Sequence, residues 1–362
     1  VDALPKVVSQ TTMSSIAAGK TPFVGTKTDK YDPRISDMLS RIMLGDASLL
    51  GTDLASVAKS YGYSNIEEFK KYRQGSTTSQ FGTVVHGLNE AVEKYFEANP
   101  NETRTGLTNS RLKNILSGSE AETNLKIYLK NLGYEGDEYT AEFDRAINNS
   151  VTFLNKMYEH LKDAEGRVIG IEQKMRGLLP TGQIVSQVAD VITTEKDPRS
   201  SFGKGTVWDW KNVGEFKGAD FQYVNQLIGY LSTLNQIKRL AQEQGKEGLK
   251  KIYGETVNVG GKTFALDDEF IDAVTKSNWE TGKLEIVDKD GALHEVTIEI
   301  SKLRSELLEL NRTGSLTEAQ RMETVKSVLV SGDVSIGKSR VRKSSNKMEV
   351  SSDGGAGGAD GG

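Results

Sequence analysis

Three consecutive short segments rich in β-branched and aromatic residues, Val168 to Lys174, Ile184 to Thr193 and Thr206 to Val213, constrain this chain most. Bounded by Gly or Pro, they read as successive strands. Helical periodicity surrounds them. From Gly82 to Phe96 the positions Val84, Val85, Leu88, Ala91, Val92, Tyr95 and Phe96 follow a helical stripe that ends before Asn99-Pro100. Residues 107 to 162 continue the helical pattern with a break around Gly133 to Gly136, and another helix is predicted from about Ala219 to Gln242. Helices, three strands and a helix in that order predict an α/β fold: a mixed sheet flanked by helices.

Around this centre the expected organisation is a flexible arm over 1–30 and a main domain over 31–250 that includes a helical lead-in reaching Tyr72. A C-terminal appendage follows over 251–331. It should contain hairpins around Gly260-Gly261 and Asp290-Gly291, then helices from Ser301 to Leu310 and Thr317 to Val330. From Gly332 to Gly362 the chain is basic and then Gly-rich, which predicts a solvated tail.

Composition narrows the chemistry. Charged residues make up 27% and hydrophobic ones 36% of the 362 residues, with no apolar run near the roughly 20 residues of a membrane span. No membrane association is expected, and the first thirty residues resemble neither a secretory signal nor a transit peptide, which predicts a cytoplasmic location in a bacterial or viral setting. With no cysteine there is no thiolate zinc site and no iron–sulfur cluster. Any metal is held by oxygen or by one of three histidines. The net charge of −4 disfavours a protein that coats nucleic acid over its whole surface, while allowing a local basic groove.

The strongest local signal is Trp208-Asp209-Trp210-Lys211-Asn212 in the third strand. Alternation puts Asp209 and Lys211 on one face. A hairpin over 193–205 brings Asp190, an acid in the apolar run Ala189-Asp190-Val191-Ile192, beside Asp209. Two converging carboxylates repel unless a cation lies between them, and oxygen ligands suit Mg²⁺. Downstream, Gln226 and Tyr230 are four apart on a helix, hence on one face. Upstream, His86 and Glu90 stand one turn apart, off the apolar arc of their helix. A second E-x-K, Glu172-Gln173-Lys174, has no suitable acidic strand before it, so the triplet at 209–211 is preferred.

The ordered set Gly82-x-x-x-His86, Asp190, Asp209-x-Lys211 and Gln226-x-x-x-Tyr230 resembles the RecB-type exonuclease branch of the PD-(D/E)xK nuclease superfamily. The resemblance runs from about Gly82 to Leu234, and its specificity lies in order and spacing. It implies a restriction-endonuclease-like core and hydrolysis of DNA phosphodiester bonds with Mg²⁺, for which Mn²⁺ substitutes. It further implies metal binding by Asp190, Asp209, the Trp210 backbone carbonyl and His86, with Glu172 as an added acid. Lys211 would sit by the scissile phosphate, and Gln226 and Tyr230 would place substrate and lysine. Implied partners are DNA and proteins of a recombination, repair or viral assembly complex. Two departures stand out: Ala189 precedes the acid where Gly is common in that stretch, and Asn212 follows the lysine where Thr or Ser is frequent. The alternative is a nuclease fold with a binding or structural role in a nucleoprotein assembly or virus particle, motivated by Val1 at the amino terminus and the Gly-rich tail.

Overall fold

The computed structural model describes residues 7–9, 77–161, 168–178, 184–194, 204–259, 262–313 and 315–334. The expected helical lead-in through Tyr72, most of the arm and the tail beyond residue 334 lie outside the described residues. Within the expected arm, Val7–Ser9 form a short strand, β1.

Among the described residues the next elements are four helices: α1 (Thr77–Ala98), α2 (Asn109–Leu116), α3 (Glu120–Asn131) and α4 (Gly136–Leu161). The helical pattern expected over 107–162 has the predicted break around Gly133 to Gly136 and a second one between Leu116 and Glu120. Ser119, whose side chain accepts a hydrogen bond from Glu122 N, starts α3, and Gly133 and Gly136 take left-handed conformations between α3 and α4. The apolar stripe of α1, Phe81, Val85, Leu88, Val92 and Phe96, is buried against Phe153, Leu154, Met157 and Tyr158 of α4.

The three expected strands are β2 (Val168–Leu178), β3 (Ile184–Thr194) and β4 (Lys204–Asn212). Next come α5 (Phe221–Tyr253), the small hairpin β5 (Thr256–Val259) and β6 (Lys262–Ala265), and α6 (Asp268–Thr275). The chain continues with β7 (Asn278–Val287), β8 (Leu293–Glu299), α7 (Ser305–Thr313), α8 (Glu318–Val328) and β9 (Leu329–Ser331). Helix α5 runs past the expected Gln242 because a single non-helical residue, Gly245, kinks it without ending it. Asp220 caps its start by accepting from Gln222 N at 3.0 Å.

The protein is α/β, with a mixed sheet in the order β1-β3-β4-β7-β8-β9 and β2 paired to β3. β2, β3 and β4 form an antiparallel meander, whereas β4 and β7 are parallel. A parallel pair needs a long crossover, which the α5 to α6 segment supplies. This corrects the expected C-terminal appendage: the hairpin at Asp290-Gly291 is part of the central sheet, and β7 lies beside the strand that carries Asp209 and Lys211. The pair packs closely at one end, where the Trp279 ring occupies the space that a Cβ on Gly205 would need. The expected tail also begins later than Gly332, since Ala219 N donates to Asp333 O at 3.2 Å and Ala219 bridges Val334.

Each face of the sheet has its own core. Trp208, Trp210, Val191 and Ile169 pack with α1 to α4, while Val207, Ile192, Leu284 and Ile286 pack with α5 and the C-terminal helices. No described helix is long and apolar enough to cross a membrane.

Candidate active site

The site forms where β3 and β4 separate. Their ladder pairs Thr194 with Gly205 through to Val191 with Trp208 and then stops. Continued by one residue, that register sets Asp190 opposite Asp209. Asp190 replaces the missing ladder bond with its side chain: Trp210 N donates to Asp190 Oδ2 at 2.6 Å. Further along, β1 takes over as the partner of β3 at residues 184–186.

The other strand of the meander bends at the same place. Glu172, opposite Asp190 in the β2–β3 register, has φ of 52°, the one described non-glycine residue with positive φ. Residues of like parity change cores across this point: Ile171 and Val191 face the α1 to α4 side, whereas Met175 and Ala189 face the α5 side. The twist at Glu172 and Asp190 delivers both carboxylates to the gap instead of to either core. A left-handed Glu is costly, of order 1–3 kcal/mol, and is retained where surrounding structure holds it.

His86 reaches the gap from α1. Its Nε2 lies 3.1 Å from Trp210 O and 3.6 Å from Asp190 Oδ2, and its Nδ1 lies 3.6 Å from Glu172 Oε1. Ligand atoms of His86, Glu172 and Asp190 all lie within 4.8 Å of one another. Burial lowers the imidazole pKa from its ordinary value, although the Glu172 charge opposes this, so the ring is neutral at physiological pH, the form that binds metals. With Nε2 toward a cation, the proton would sit on Nδ1, facing Glu172. In that arrangement Glu172 orients the imidazole, as carboxylates behind metal-binding histidines do.

Asp209 stands outside that three-residue group and next to Lys211. It is completely buried, and neither carboxylate oxygen has a well-aligned hydrogen bond. Lys211 Nζ lies 3.3 Å from Asp209 Oδ1. Burial pushes the Asp209 pKa up to about 8; the Lys211 ammonium opposes the shift and the Asp190 charge reinforces it. Asp190 is raised as well, again by burial. Asp190 is partly satisfied by the Trp210 N–H, so the electrostatic strain of the two neighbouring acids falls mainly on the fully buried Asp209.

Lys211 is fixed by a chain of hydrogen bonds. Its Nζ donates to Gln226 Oε1 at 3.0 Å, Gln226 Nε2 donates to Tyr230 OH at 2.8 Å, and Tyr230 OH donates to Val188 O at 3.0 Å. Residues four apart on α5 thus tie the lysine to the backbone of β3. Tyr230 is buried with its hydroxyl fully engaged, so it positions the lysine through Gln226 and does not face substrate. Burial would lower the Lys211 pKa, but the Asp209 and Asp190 charges outweigh it and hold the group above its ordinary value. Lys211 is an ammonium.

The sequence-predicted residues His86, Glu172, Asp190, Asp209, Trp210, Lys211, Gln226 and Tyr230 therefore converge in two adjoining clusters. Lys174 of the competing E-x-K is exposed, and Lys211 is the lysine that reaches an acid of the site. Two neighbours were not anticipated. Tyr223 places its ring 5.2 Å from Lys211 Nζ; it lies three residues before Gln226 on the same face of α5, a spacing that could have revealed it. Glu285, on β7 behind Trp210, accepts from the indole Nε1 at 3.2 Å and is nearly fully buried. Burial raises its pKa to about 8. Only the β4–β7 pairing places it there, and no local pattern announces it.

The sequence matches no family model, and no characterised protein matches it closely enough to be called a relative.

Proposed function

We propose that this chain is a Mg²⁺-dependent deoxyribonuclease of the PD-(D/E)xK kind, with a restriction-endonuclease-like core. The observation that carries the reading is the neighbouring pair Asp190 and Asp209, in which the fully buried Asp209 carboxylate has no well-aligned hydrogen bond and is approached by the Lys211 ammonium at one oxygen, 3.3 Å away. A structural ion pair buried this deeply would satisfy its oxygens, because unpaired buried carboxylates are expensive.

The residues fit a hard cation. Asp190, Asp209, the Trp210 carbonyl and His86 would hold it, with Glu172 supporting His86. When bound, Mg²⁺ supplies polarisation of the phosphate and acidification of a water; Mn²⁺ can supply the same. Lys211, aimed by Gln226 and Tyr230, donates to phosphate oxygens as negative charge builds on them, and water attacks phosphorus as the bond to the leaving oxygen breaks. Held as an ammonium, Lys211 stabilises charge instead of taking the water's proton. Exonuclease action rests on the resemblance to the RecB-type branch, as do DNA as the partner and a setting of recombination, repair or viral assembly.

The test is digestion of end-labelled linear DNA and of covalently closed circular DNA, each with Mg²⁺ and with a chelator. The reading expects Mg²⁺-dependent loss of the linear substrate and persistence of the circle. Cleavage of the circle would remove the exonuclease assignment, and no cleavage of either would remove the nuclease assignment.

A further inference from the structure

Beyond the end of β4 a second feature opens beside the site. A cleft of about 340 Å³ lies between the start of α1, helices α3 and α4, and the turn joining β7 to β8. This is within the ~300–1,000 Å³ range of small-ligand pockets. Phe81, Tyr128 and Tyr134 bring three aromatic rings to it, with Arg145 and Asn212 beside them. The Arg145 guanidinium lies over the Phe81 ring at 3.9 Å and is held there by Glu142 at 3.0 Å.

We infer that this aromatic cleft takes a nucleobase of a single DNA strand, next to the nucleotide whose phosphate is cut; the inference rests on the proposed nuclease activity for the location of the cut.

Three observations support it. First, position: Asn212 lies two strand residues beyond Trp210, roughly 7 Å at the usual rise, and Phe81 lies five residues before His86, roughly 7–8 Å along α1. The cleft therefore lies farther along the same β4 and α1 that bring Trp210 and His86 to the site, on the sheet face that α1 to α4 cover. Second, chemistry: Tyr128 on α3 and Tyr134 in the turn after it bring half-buried rings to the cleft, and the Arg145 guanidinium, backed by the buried Phe81 ring, adds a third flat face, the kind of surface on which bases of any sequence stack. Third, charge: the lining acids Glu142 and Asp290 balance Arg145 and Lys289, so the cleft offers no net attraction to a phosphate and suits the uncharged base. A base that enters this cleft and stacks on its rings gives up its neighbours in a duplex, which is why the occupant is a single strand.

The experiment is fluorescence anisotropy with a short labelled oligothymidine strand in chelator, where no cleavage intervenes, using the full chain. An abasic residue is moved along the strand, and the scan is repeated with Tyr128→Leu and Tyr128→Phe; thermal melts confirm that each variant folds. One abasic position should weaken wild-type binding about tenfold, the scale of one lost base–aromatic stack. In Tyr128→Leu, which keeps apolar volume without a π face, the same abasic position should cost nothing further, and Tyr128→Phe should behave as wild type. A flat abasic scan, losses that multiply in the double combination, or absence of single-strand binding would overturn the inference. Digestion of linear DNA by the same preparation separates the two readings: cleavage with a flat scan rejects the cleft alone, and a position-specific scan without cleavage rejects the nuclease alone.

Discussion

Replacing Asp209 with Asn should stabilise the metal-free protein, and the gain should grow with pH. The Asp209 pKa moves from an ordinary 3.8 to about 8 in the folded chain. That is roughly four pH units at ~1.36 kcal/mol each, on the order of 5 kcal/mol. Because the folded value is above the unfolded one, the folded state holds the extra proton between them. Stability is therefore highest below the unfolded pKa and is lost as pH rises through the folded pKa. The amide introduced by Asp209→Asn does not titrate, so the variant escapes that loss. It also deprives the Lys211 ammonium of the carboxylate 3.3 Å away, which takes back part of the gain. The net expectation is little difference near pH 4 and a stabilisation of roughly 2–4 kcal/mol near pH 9. Urea unfolding of both proteins in chelator, across that range, reads it directly. A difference that does not vary with pH, or a destabilised Asp209→Asn variant near pH 9, would refute the picture of an ionised Asp209 that requires a cation.

The same protonation governs metal binding: Mg²⁺ affinity should rise by up to about tenfold per pH unit until about pH 8 and then level off. Titration calorimetry in buffers of different ionisation enthalpy should detect the released proton. Lys211→Ala should lower kcat on the order of 10²–10³-fold with the Mg²⁺ midpoint retained, and Gln226→Ala should lower it less, roughly tenfold, since it acts through the lysine. Steady-state kinetics over a Mg²⁺ titration separates the two effects. Glu285, raised from 4.5 to about 8 by burial, also loses stability as pH rises through that window. Glu285→Gln should therefore be near neutral at about pH 4 and more stable than wild type by roughly 2–4 kcal/mol near pH 9 in urea unfolding, with the Trp210 contact kept.

Much of this site was legible because its spacing is local. Asp209 and Lys211 share a strand face, Gln226 and Tyr230 share a helix face, and the three strands appear where β-branched residues cluster between Gly and Pro. Alternation alone failed at Glu172 and Asp190. Odd-numbered residues should stay on one side of β2 and β3, yet they switch cores there, because one left-handed backbone angle turns the strand pair. Such a turn is expected of Gly, and Glu gives no warning of it. The hairpin at Asp290-Gly291 was legible as a hairpin but not as part of the central sheet, since parallel pairing of β7 with β4 is set by contacts some seventy residues apart. Helix α6, at eight residues, is too short to present a sustained period beside the Asp267-Asp268 start. The aromatic cleft was hidden for the same reason as Glu285: its walls come from α1, α3, α4 and two turns, each unremarkable by itself.

The central claim is that Asp209 and Lys211 form the working centre of a Mg²⁺-dependent DNA hydrolase. Its most direct test is release of acid-soluble nucleotides from linear duplex DNA by wild type, Asp209→Ala and Lys211→Ala, purified identically and matched for folded content by their melts. The account predicts release by wild type with Mg²⁺, none with chelator, and none above background from Asp209→Ala even at saturating Mg²⁺. Release by Asp209→Ala at the wild-type rate, or undiminished release by wild type in chelator, would contradict it.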